Sequence, residues 1–462
     1  MKTIHLHSVI TAIAFLAVLL LPTACDRNAH EGELILPEGH GGVVVGLQTE
    51  GGVELPTDDI HLFLFDADDR LAEYRYYDEP EKMALDVIRL PAGSYTVVAV
   101  LNTGADFTPP SSTRADLPSI TLADFADWLN TVAGDYPDML TGIAKVETET
   151  GDIGQVVITL KVGTEGVRLP VLRLLLTLPG EETPEYKPET KSRAAGADYS
   201  LRCVAELYIK GSDKLAFHRP LSVALQTDGT CLVELQAPAG DYDLYLWTDY
   251  ARADAPQADT YYHTESLKAI TINTEPGYTA NTDAKDAAYF TQTGISLTET
   301  GAEIEAELQR PLAKYRLIAT DVEEYRKLRE KDIAKFPPLE ELTVMISYNG
   351  YFPSGFNATS GKPNSAVGGI TYSSALPSVP QDEKEVQIGS DWVFVNGTES
   401  LVNVAIQVLN KQGEVISRIE NTAIAYRRNY NTTIKGGFLT AGQSGGNIQV
   451  NTEWDGSYDV EF

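Results

Sequence analysis

The chain has 462 residues, of which 66 are acidic and 36 are basic, so its formal net charge is −30 at pH 7. This balance excludes a nucleic-acid-binding protein, because phosphate contacts require clustered Lys and Arg side chains. It also opposes binding to anionic lipid and suits a surface that faces water. The length is enough for two or three domains.

The first 24 residues predict an export signal. Lys2 precedes an uncharged apolar run over 10–21, which is too short to span a bilayer and is typical of a signal peptide. The sequence LLPTA at 20–24 leads directly into Cys25 and resembles a bacterial lipobox, in which a signal peptidase cuts before a lipid-bearing Cys. We therefore expect acyl chains on Cys25 to hold the protein at the outer membrane and cell surface. An ordinary signal peptide with an incidental Cys is the alternative.

Apolar and polar residues alternate with a period of two in much of the chain. This pattern places one face of each strand inward and the other outward, as in antiparallel sandwiches. The predicted fold class is all-β, with tandem antiparallel β-sandwich domains of transthyretin-like or immunoglobulin-like type. Two short helices are predicted, at 121–133 and at 320–336, the second capped by Thr320 or Asp321. The alternation is clearest over four segments: 156–162, 302–308, 342–348 and 402–408.

An internal repeat links two parts of the chain. The hairpin sequence at 60–74 is similar to that at 205–218, since each has an apolar strand, a turn with Asp, a basic residue and Leu-Ala. Downstream, 89–102 and 236–249 each contain a Pro-Ala-Gly turn followed by Tyr and a buried strand. A duplicated sandwich explains these matches, and chance similarity of two hairpins is the alternative.

A polar, proline-containing stretch over 179–200 has no apolar rhythm and predicts a linker or a long loop. The C-terminal segment carries strands of its own, which form either a third sandwich or half of a larger one. Its last residues, 447–462, are either a final core strand or a mobile donor strand. The predicted organisation is a lipoprotein signal peptide at 1–24, a tether at 25–40, an N-terminal β-sandwich at 41–180, a linker at 181–196, a second sandwich at 197–310 and a C-terminal sandwich at 311–462.

No group of residues in the sequence predicts catalysis. His residues lack metal-ligand spacing, and neither a nucleophile elbow nor a phosphate-binding Gly loop is present. With 66 acidic residues, carboxylate pairs arise by chance. We therefore expect a non-enzymatic protein with no catalytic residue, no metal site and no cofactor. Cys203 and Cys231 lie in predicted strands and form either one disulfide or two buried thiols.

Two local features have a functional and a structural interpretation. Asp66, Asp68 and Asp69 could bind Ca²⁺ in a surface turn, although the turn lacks the Gly and distal Glu of an EF-hand loop, and a solvated hairpin turn is the alternative. Tyr245 and Trp247 could stack on sugars. A strand buried between two layers is the favoured interpretation of these two aromatics.

The C-terminal segment YRRNYNTTIKGGFLT at 426–440 resembles the R-N-Y-x-T-x-I-x-G-x-x-L-T signature of Bacteroidales fimbrillin-like proteins, the subunits of type V pili. The segments at 351–366, 392–400 and 237–251 resemble the same family. From the residues alone the motif is structural, because Asn favours a bend, Gly436-Gly437 permits positive φ and Phe438 fills an apolar site. The motif positions are Arg428, Asn429, Tyr430, Thr432, Ile434, Gly436, Leu439 and Thr440.

The resemblance implies assembly by strand exchange. In this family a lipoprotein precursor is exported, an Arg- or Lys-directed protease removes its first strand, and the groove accepts a strand from the next subunit. Here no Lys or Arg lies between Arg27 and Arg70, so the first predicted strand, 42–48, lacks a basic cleavage site directly behind it. Cutting at Arg193 would discard the whole first domain. The candidate processing sites are thus Arg27, Arg70 and Arg193.

The expected function is that of a structural or adhesive component of a type V-like fimbria. Because the first strand and the lipid are expected to remain, an anchor, tip or accessory role is favoured over a shaft subunit. Its partners would be other fimbrial subunits, through β-strand addition, and the outer membrane, through the lipid. The alternative is a surface glycan-binding lipoprotein of a polysaccharide-uptake system.

Overall fold

The computed structural model describes residues 36–49, 59–104, 107–110, 120–179, 198–226 and 230–442. Strands dominate these residues, so the all-β prediction is confirmed. They form three consecutive units, called sandwich 1 (36–167), sandwich 2 (171–309) and sandwich 3 (312–442). Among the described residues, the helices are all too short or too polar to cross a membrane.

Sandwich 1 packs a sheet of order β3-β2-β5-β6 against a sheet of order β4-β1-β7, and the two are continuous where β6 meets β7. Helix α2 begins with a capping box, in which Thr121 and Asp124 satisfy each other's backbone N–H groups. The elements are β1 His40–Thr49, β2 Ile60–Phe65, β3 Leu71–Tyr77, α1 Pro80–Leu85, β4 Ile88–Pro91, β5 Gly93–Leu101, α2 Leu122–Val132, β6 Leu140–Thr148 and β7 Ile153–Val162.

Sandwich 2 has sheets of order β10-β9-β13-β16 and β11-β12-β8-β17. Two further short strands, β14 and β15, leave it to pair with sandwich 3. The elements are β8 Val171–Thr177, β9 Tyr199–Ile209, β10 Leu215–Ser222, β11 Ala224–Leu225, β12 Cys231–Gln236, β13 Gly240–Arg252, β14 Tyr262–His263, β15 Ile270–Ile272, β16 Ala288–Leu297 and β17 Ala302–Glu307.

Sandwich 3 has sheets of order β22-β19-β24-β25 and β23-β18-β26. Its helix α3 ends earlier than predicted, with Asp332 as its C-cap and Ile333 exposed. The elements are β18 Leu312–Ala319, α3 Val322–Lys331, β19 Thr343–Asn349, β20 Tyr351–Asn357, β21 Lys362–Gly368, β22 Thr371–Ala375, β23 Val386–Phe394, β24 Glu399–Leu409, β25 Val415–Arg427 and β26 Asn431–Gly436.

All three sandwiches share one strand topology. In each, the first strand lies between an antiparallel neighbour and the last strand, to which it is parallel. The sheets are antiparallel as predicted except at three pairs that are parallel, β1 with β7, β8 with β17, and β18 with β26. Alternation fixes which face of a strand is buried but not which strand lies beside it. The order also differs from the ABED and CFG sheets of immunoglobulin domains.

The two segments that are similar in sequence occupy equivalent places in sandwiches 1 and 2. Hairpin β2–β3 and hairpin β9–β10 occupy equivalent places, and β5 and β13 pair with β2 and β9 respectively. The C-terminal segment is a third sandwich of the same topology and not half of a larger one. The repeat therefore extends beyond the sequence similarity that predicted it.

The border between the first two sandwiches differs from the predicted one. Strand β8 was placed in the N-terminal sandwich, which was predicted to extend to 180. In the structure β8 pairs with β12 and β17, so it is the first strand of sandwich 2. The polar stretch that suggested a linker follows this strand and does not precede it. The predicted linker at 181–196 lies outside the described residues, as do the signal peptide, most of the tether and 447–462.

Neighbouring sandwiches share apolar cores. Phe63 and Phe65 point outward from sandwich 1 and lie 4.4 and 5.6 Å, between ring centroids, from Phe125 of α2. This helix covers the outer face of β2, and its apolar cluster continues into the interior of sandwich 2. A small sheet of order β14-β15-β20-β21 joins sandwich 2 to sandwich 3, with Ile270 opposite Phe356.

Candidate functional site

The C-terminal motif contains β26, the last described strand. It runs parallel to β18, with Thr432 opposite Tyr315. The carbonyl oxygen of Tyr430 accepts a hydrogen bond of 3.0 Å from the backbone N–H of Lys314. Thr432 and Ile434 are 2% and 1% exposed. These motif residues therefore close the smaller sheet of sandwich 3.

Arg428 of the motif connects sandwich 3 to sandwich 2. Its guanidinium donates hydrogen bonds of 3.0 Å to the carbonyl oxygens of Gly361 and Val395. It also donates one of 3.3 Å to the hydroxyl of Tyr289 on β16. Because one side chain contacts three separate segments, it fixes their relative positions.

Asn429 has a left-handed backbone, with φ of +67°, which short polar side chains tolerate better than others. Its N–H donates a hydrogen bond of 2.9 Å to the carbonyl of Leu312, and its side-chain oxygen accepts one from Arg310. Arg310 in turn forms a bidentate pair with Asp286, at 2.6 and 2.9 Å. This pair was not predicted from the sequence, because its formation depends on how the two sandwiches pack.

The end of the motif contacts Asp321, at the start of α3. The carboxylate of Asp321 accepts hydrogen bonds from the backbone N–H groups of Leu439 and Thr440, at 3.2 and 2.7 Å, and from the Thr440 hydroxyl at 2.8 Å. Asp321 is the N-cap residue as predicted, but its side chain makes no capping bond. Burial raises its pKa, against the hydrogen bonds that lower it. Gly436 and Gly437 do not have the positive φ that was predicted.

The first strand, β1, is the central strand of its sheet. It is parallel to β7 over eight residue pairs and antiparallel to β4 over four. Val43 and Val45 are 0% and 2% exposed within the core of sandwich 1. Removing β1 would therefore open a groove between β7 and β4.

Arg70 lies in the turn between β2 and β3. Its backbone N–H donates a hydrogen bond of 3.0 Å to the Asp66 carboxylate, and its carbonyl accepts one of 2.8 Å from the Asp66 N–H. Its guanidinium reaches the carbonyl of Leu215 in sandwich 2, at 3.3 Å. A protease must therefore open this turn before it can cut there. The other residues predicted for lipidation or processing lie outside the described residues: Cys25, Arg27 and Arg193.

The acidic turn at 66–69 is organised by its own backbone. One oxygen of Asp66 accepts hydrogen bonds from the N–H groups of Asp68 and Arg70, at 2.9 and 3.0 Å. Asp68 forms an ion pair of 2.6 Å with Lys214 of sandwich 2. Within the described residues no group of three His, Cys, Asp or Glu could hold a metal ion. The turn therefore helps to join two sandwiches.

The central aromatic residues do not form an open stacking surface. Trp247 and Tyr262 are 0% and 1% exposed, and their ring centroids lie 5.3 Å apart. Tyr245 is half-buried and packs against Tyr208, with centroids 5.6 Å apart. The idea that Trp247 stacks on a sugar is therefore wrong, and the buried-strand interpretation applies to it.

Cys203 and Cys231 are free, buried thiols in the core of sandwich 2. Burial raises the pKa of Cys203 to about 12 and also raises that of Cys231. Such thiols are not reactive nucleophiles at neutral pH.

Residues 165–462 match the model of a family described as a family of unknown function, DUF6562. The chain belongs to this family. The DUF6562 region begins just before β8, so it contains sandwiches 2 and 3 entire and leaves out most of sandwich 1. No curated protein sequence matches the chain significantly.

Several solved structures are similar to this chain. The fimbrial anchor protein Mfa2 from Porphyromonas gingivalis is 14% identical, with a TM-score of 0.31, covering 54% of this chain and 82% of its own. A candidate adhesin from Bacteroides ovatus is 12% identical, with a TM-score of 0.33, covering 55% and 76%. A candidate polysaccharide binding protein (DUF1812) from Bacteroides thetaiotaomicron is 12% identical, with a TM-score of 0.34, covering 54% and 80%. These descriptions include both function classes that the sequence left open, and likenesses this distant do not decide between them.

Proposed function

We propose that this DUF6562 protein is a structural or adhesive component of a type V-like fimbria. In this role it is a non-enzymatic outer membrane lipoprotein, anchored through Cys25, that binds other fimbrial subunits by β-strand addition. It serves as an anchor, tip or accessory subunit that keeps its first strand. The ordered motif segments in the sequence support the fimbrillin-like assignment, and the position of β1 supports the role.

The observation that carries the anchor role is the position of β1 relative to Arg70. The strand is buried between β7 and β4. By contrast, the backbone N–H and the carbonyl oxygen of Arg70 are both hydrogen-bonded to Asp66 in a tight turn. A protease that recognises Arg needs an extended, accessible chain, and this turn offers neither. Loss of β1 at this site is therefore disfavoured.

A donor strand from a partner would make the contacts that β1 makes. It would lie between β7 and β4 and insert apolar side chains at the positions of Val43 and Val45, opposite Gly154 and Val156 of β7. Main-chain hydrogen bonds would supply affinity, and the alternating apolar side chains would supply register. In an anchor these positions stay filled by β1 itself, so partner strands bind elsewhere.

The test is the native N-terminus of the protein. We expect mass spectrometry of protein taken from the cell surface to find an acylated Cys25, unchanged by an inhibitor of Arg/Lys proteases. Cys25→Ala should release the protein from the membrane fraction, and Arg70→Gln should leave the N-terminus unchanged. An inhibitor-sensitive N-terminus at or beyond residue 70 would instead identify a polymerising subunit.

The glycan-binding alternative is tested with the same purified protein. It requires an exposed aromatic surface, and Trp247 and Tyr262 are buried. We expect no binding to a panel of soluble polysaccharides in affinity electrophoresis. Retardation by one polysaccharide would favour the uptake-system role over the fimbrial one.

A further inference from the structure

A buried lysine and a buried aspartate meet where sandwiches 2 and 3 join. Lys285 lies just before β16 in sandwich 2, and Asp391 lies on β23 in sandwich 3. The Lys285 Nζ is 2.6 Å from the Asp391 Oδ1, and the two side chains are 3% and 0% exposed. This places an amine in contact with a carboxyl group away from water.

The two carboxyl oxygens of Asp391 have different surroundings. Oδ1 faces the lysine and also accepts a hydrogen bond of 2.8 Å from the backbone N–H of Trp392. Oδ2 accepts hydrogen bonds from the hydroxyls of Tyr278, at 2.6 Å, and Tyr348, at 2.7 Å. Tyr278 also lies 2.7 Å from the Lys285 Nζ. The Tyr278 hydroxyl therefore contacts both the Lys285 amine and Asp391 Oδ2, the carboxyl oxygen that does not face the lysine.

Burial of this pair favours neutral species over charged ones. Taking an ammonium and a carboxylate out of water is costly, and their mutual attraction repays that cost only in part. Burial accordingly lowers the pKa of Lys285, although Asp391 opposes the shift. A neutral amine is the nucleophilic form of lysine.

We propose that Lys285 and Asp391 condense to an amide, which cross-links sandwich 2 to sandwich 3. The proposal rests on this site alone and does not depend on the fimbrial function. Nζ attacks the Asp391 carboxyl carbon, and the Trp392 N–H stabilises the charge that develops on Oδ1. Tyr278 passes two protons in turn from Nζ to Oδ2, one before the attack and one after it. The Cγ–Oδ2 bond then breaks, and Oδ2 leaves as water. The ammonium and the carboxylate thus become one amide and one water, with no other reactant.

Other pairs at the same junction lack this combination. Lys314 and Asp283 are also in contact, but Asp283 is 74% exposed, so water stabilises its carboxylate. The buried pair of Arg310 and Asp286 contains a guanidinium, which stays protonated in proteins and is not a nucleophile. Lys314 therefore provides the matched control for Lys285.

Cleavage at methionine gives a direct test. Met345 is located between the two residues, and the preceding methionine is Met139, so cyanogen bromide separates fragments 140–345 and 346–462. We expect the full protein to yield these fragments joined on a denaturing gel, with a mass lower than their sum by one water. Both remaining cysteines lie in the first fragment, so a disulfide cannot join the two.

Variants identify the bond. Lys285→Arg should separate the fragments, and Lys314→Arg should leave them joined. Asp391→Asn should keep them joined with loss of one ammonia in place of one water, and Asp391→Ala should separate them. Fragments of wild-type protein that run apart, each with its unmodified mass, would overturn the proposal and leave an ion pair only. This result can be read on wild-type protein even if a variant does not fold.

Discussion

The hydroxyl of Tyr242 donates a hydrogen bond to the carbonyl oxygen of Pro238, four residues earlier, across 2.8 Å. Tyr95 makes the same bond to Pro91, also across 2.8 Å. Each bond closes the Pro-Ala-Gly turn that carries the chain from the smaller sheet to the larger one. The sequence repeat thus corresponds to a turn, closed by a Tyr hydroxyl, that connects the two sheets in each of these sandwiches.

Tyr242→Phe is expected to lower the free energy of unfolding by about 1–2 kcal/mol, because Pro238 is buried and its carbonyl would lose its partner. Tyr95→Phe should have a smaller effect, since Pro91 is exposed and water can replace the hydroxyl. Urea unfolding measures both. Tyr351→Phe is the control, because Tyr351 is 85% exposed. Equal losses for Tyr242 and Tyr95 would contradict this account.

The buried pair of Arg202 and Asp249 should be sensitive to loss of one partner. Arg202 donates two hydrogen bonds to Asp249, at 2.8 and 2.7 Å, and a third to Asp259 at 2.7 Å. Arg202→Met leaves a buried carboxylate without its cation, which should destabilise the protein by about 3–5 kcal/mol.

Thermal unfolding against an exposed pair checks this prediction. Arg252 and Asp254 also form an ion pair, but their side chains are 64% and 70% exposed. Arg252→Met should change stability far less than Arg202→Met, because water replaces the exposed ion pair. Equal melting temperatures for the two variants would show that the buried pair stabilises the protein no more than the exposed pair does.

Asp69 should make stability depend on pH. Burial raises its pKa from 3.8 to about 6, with smaller contributions from Asp66 and Asp68, while Lys145 opposes the rise. Between these values the folded state binds more protons than the unfolded state. The contribution of this group is therefore fully present below pH 3.8 and is lost as the pH rises through about 6.

Asp69→Asn removes the titrating group and keeps a residue that tolerates its φ of +55°. Unfolding measured from pH 4 to pH 7 should then show a weaker decline of stability with pH than in the wild-type protein. Identical pH profiles for the two proteins would rule out Asp69 as the source.

The position of β8 in sandwich 2 leads to a prediction about proteolytic cleavage of the chain after this strand. A specific protease site inserted between residues 180 and 197 lies after β8, which pairs with β12 and β17. We expect the two fragments to co-elute in native size-exclusion chromatography and to separate in denaturant. Leu174→Asp, a change at a fully buried position of β8, should release the N-terminal fragment. Release from the unmutated protein would show that β8 does not hold the sandwiches together.

The sequence predicted strands well because their alternation follows burial. Val156, Ile158 and Leu160 are 6%, 0% and 1% exposed, as their period-two spacing requires. The sequence did not predict which strands pair with one another, since nothing in the residues of β8 shows whether it belongs to sandwich 1 or sandwich 2. For Trp247 the favoured interpretation is confirmed, because a second layer covers the face of its strand that carries the indole.

The candidate site was predictable in its residues but not in its contacts. The motif from Arg428 to Thr440 was identified from its sequence. Its contact with Asp321 was not predicted, because Asp321 was expected only as a possible helix cap. Lys285 and Asp391 are 106 residues apart, and their contact arises only when two sandwiches pack. Long-range polar pairs of this kind leave no periodic trace in a sequence.

The parallel pairing of first and last strands has a mechanical consequence. In sandwich 2 the chain enters at the start of β8 and leaves at the end of β17, which are opposite ends of neighbouring strands. Tension along the chain would load their hydrogen bonds together in shear, and would not peel them apart one at a time. The same geometry holds in sandwiches 1 and 3. Three shear-loaded units in series would resist pulling at both ends more strongly than their thermal stability alone suggests.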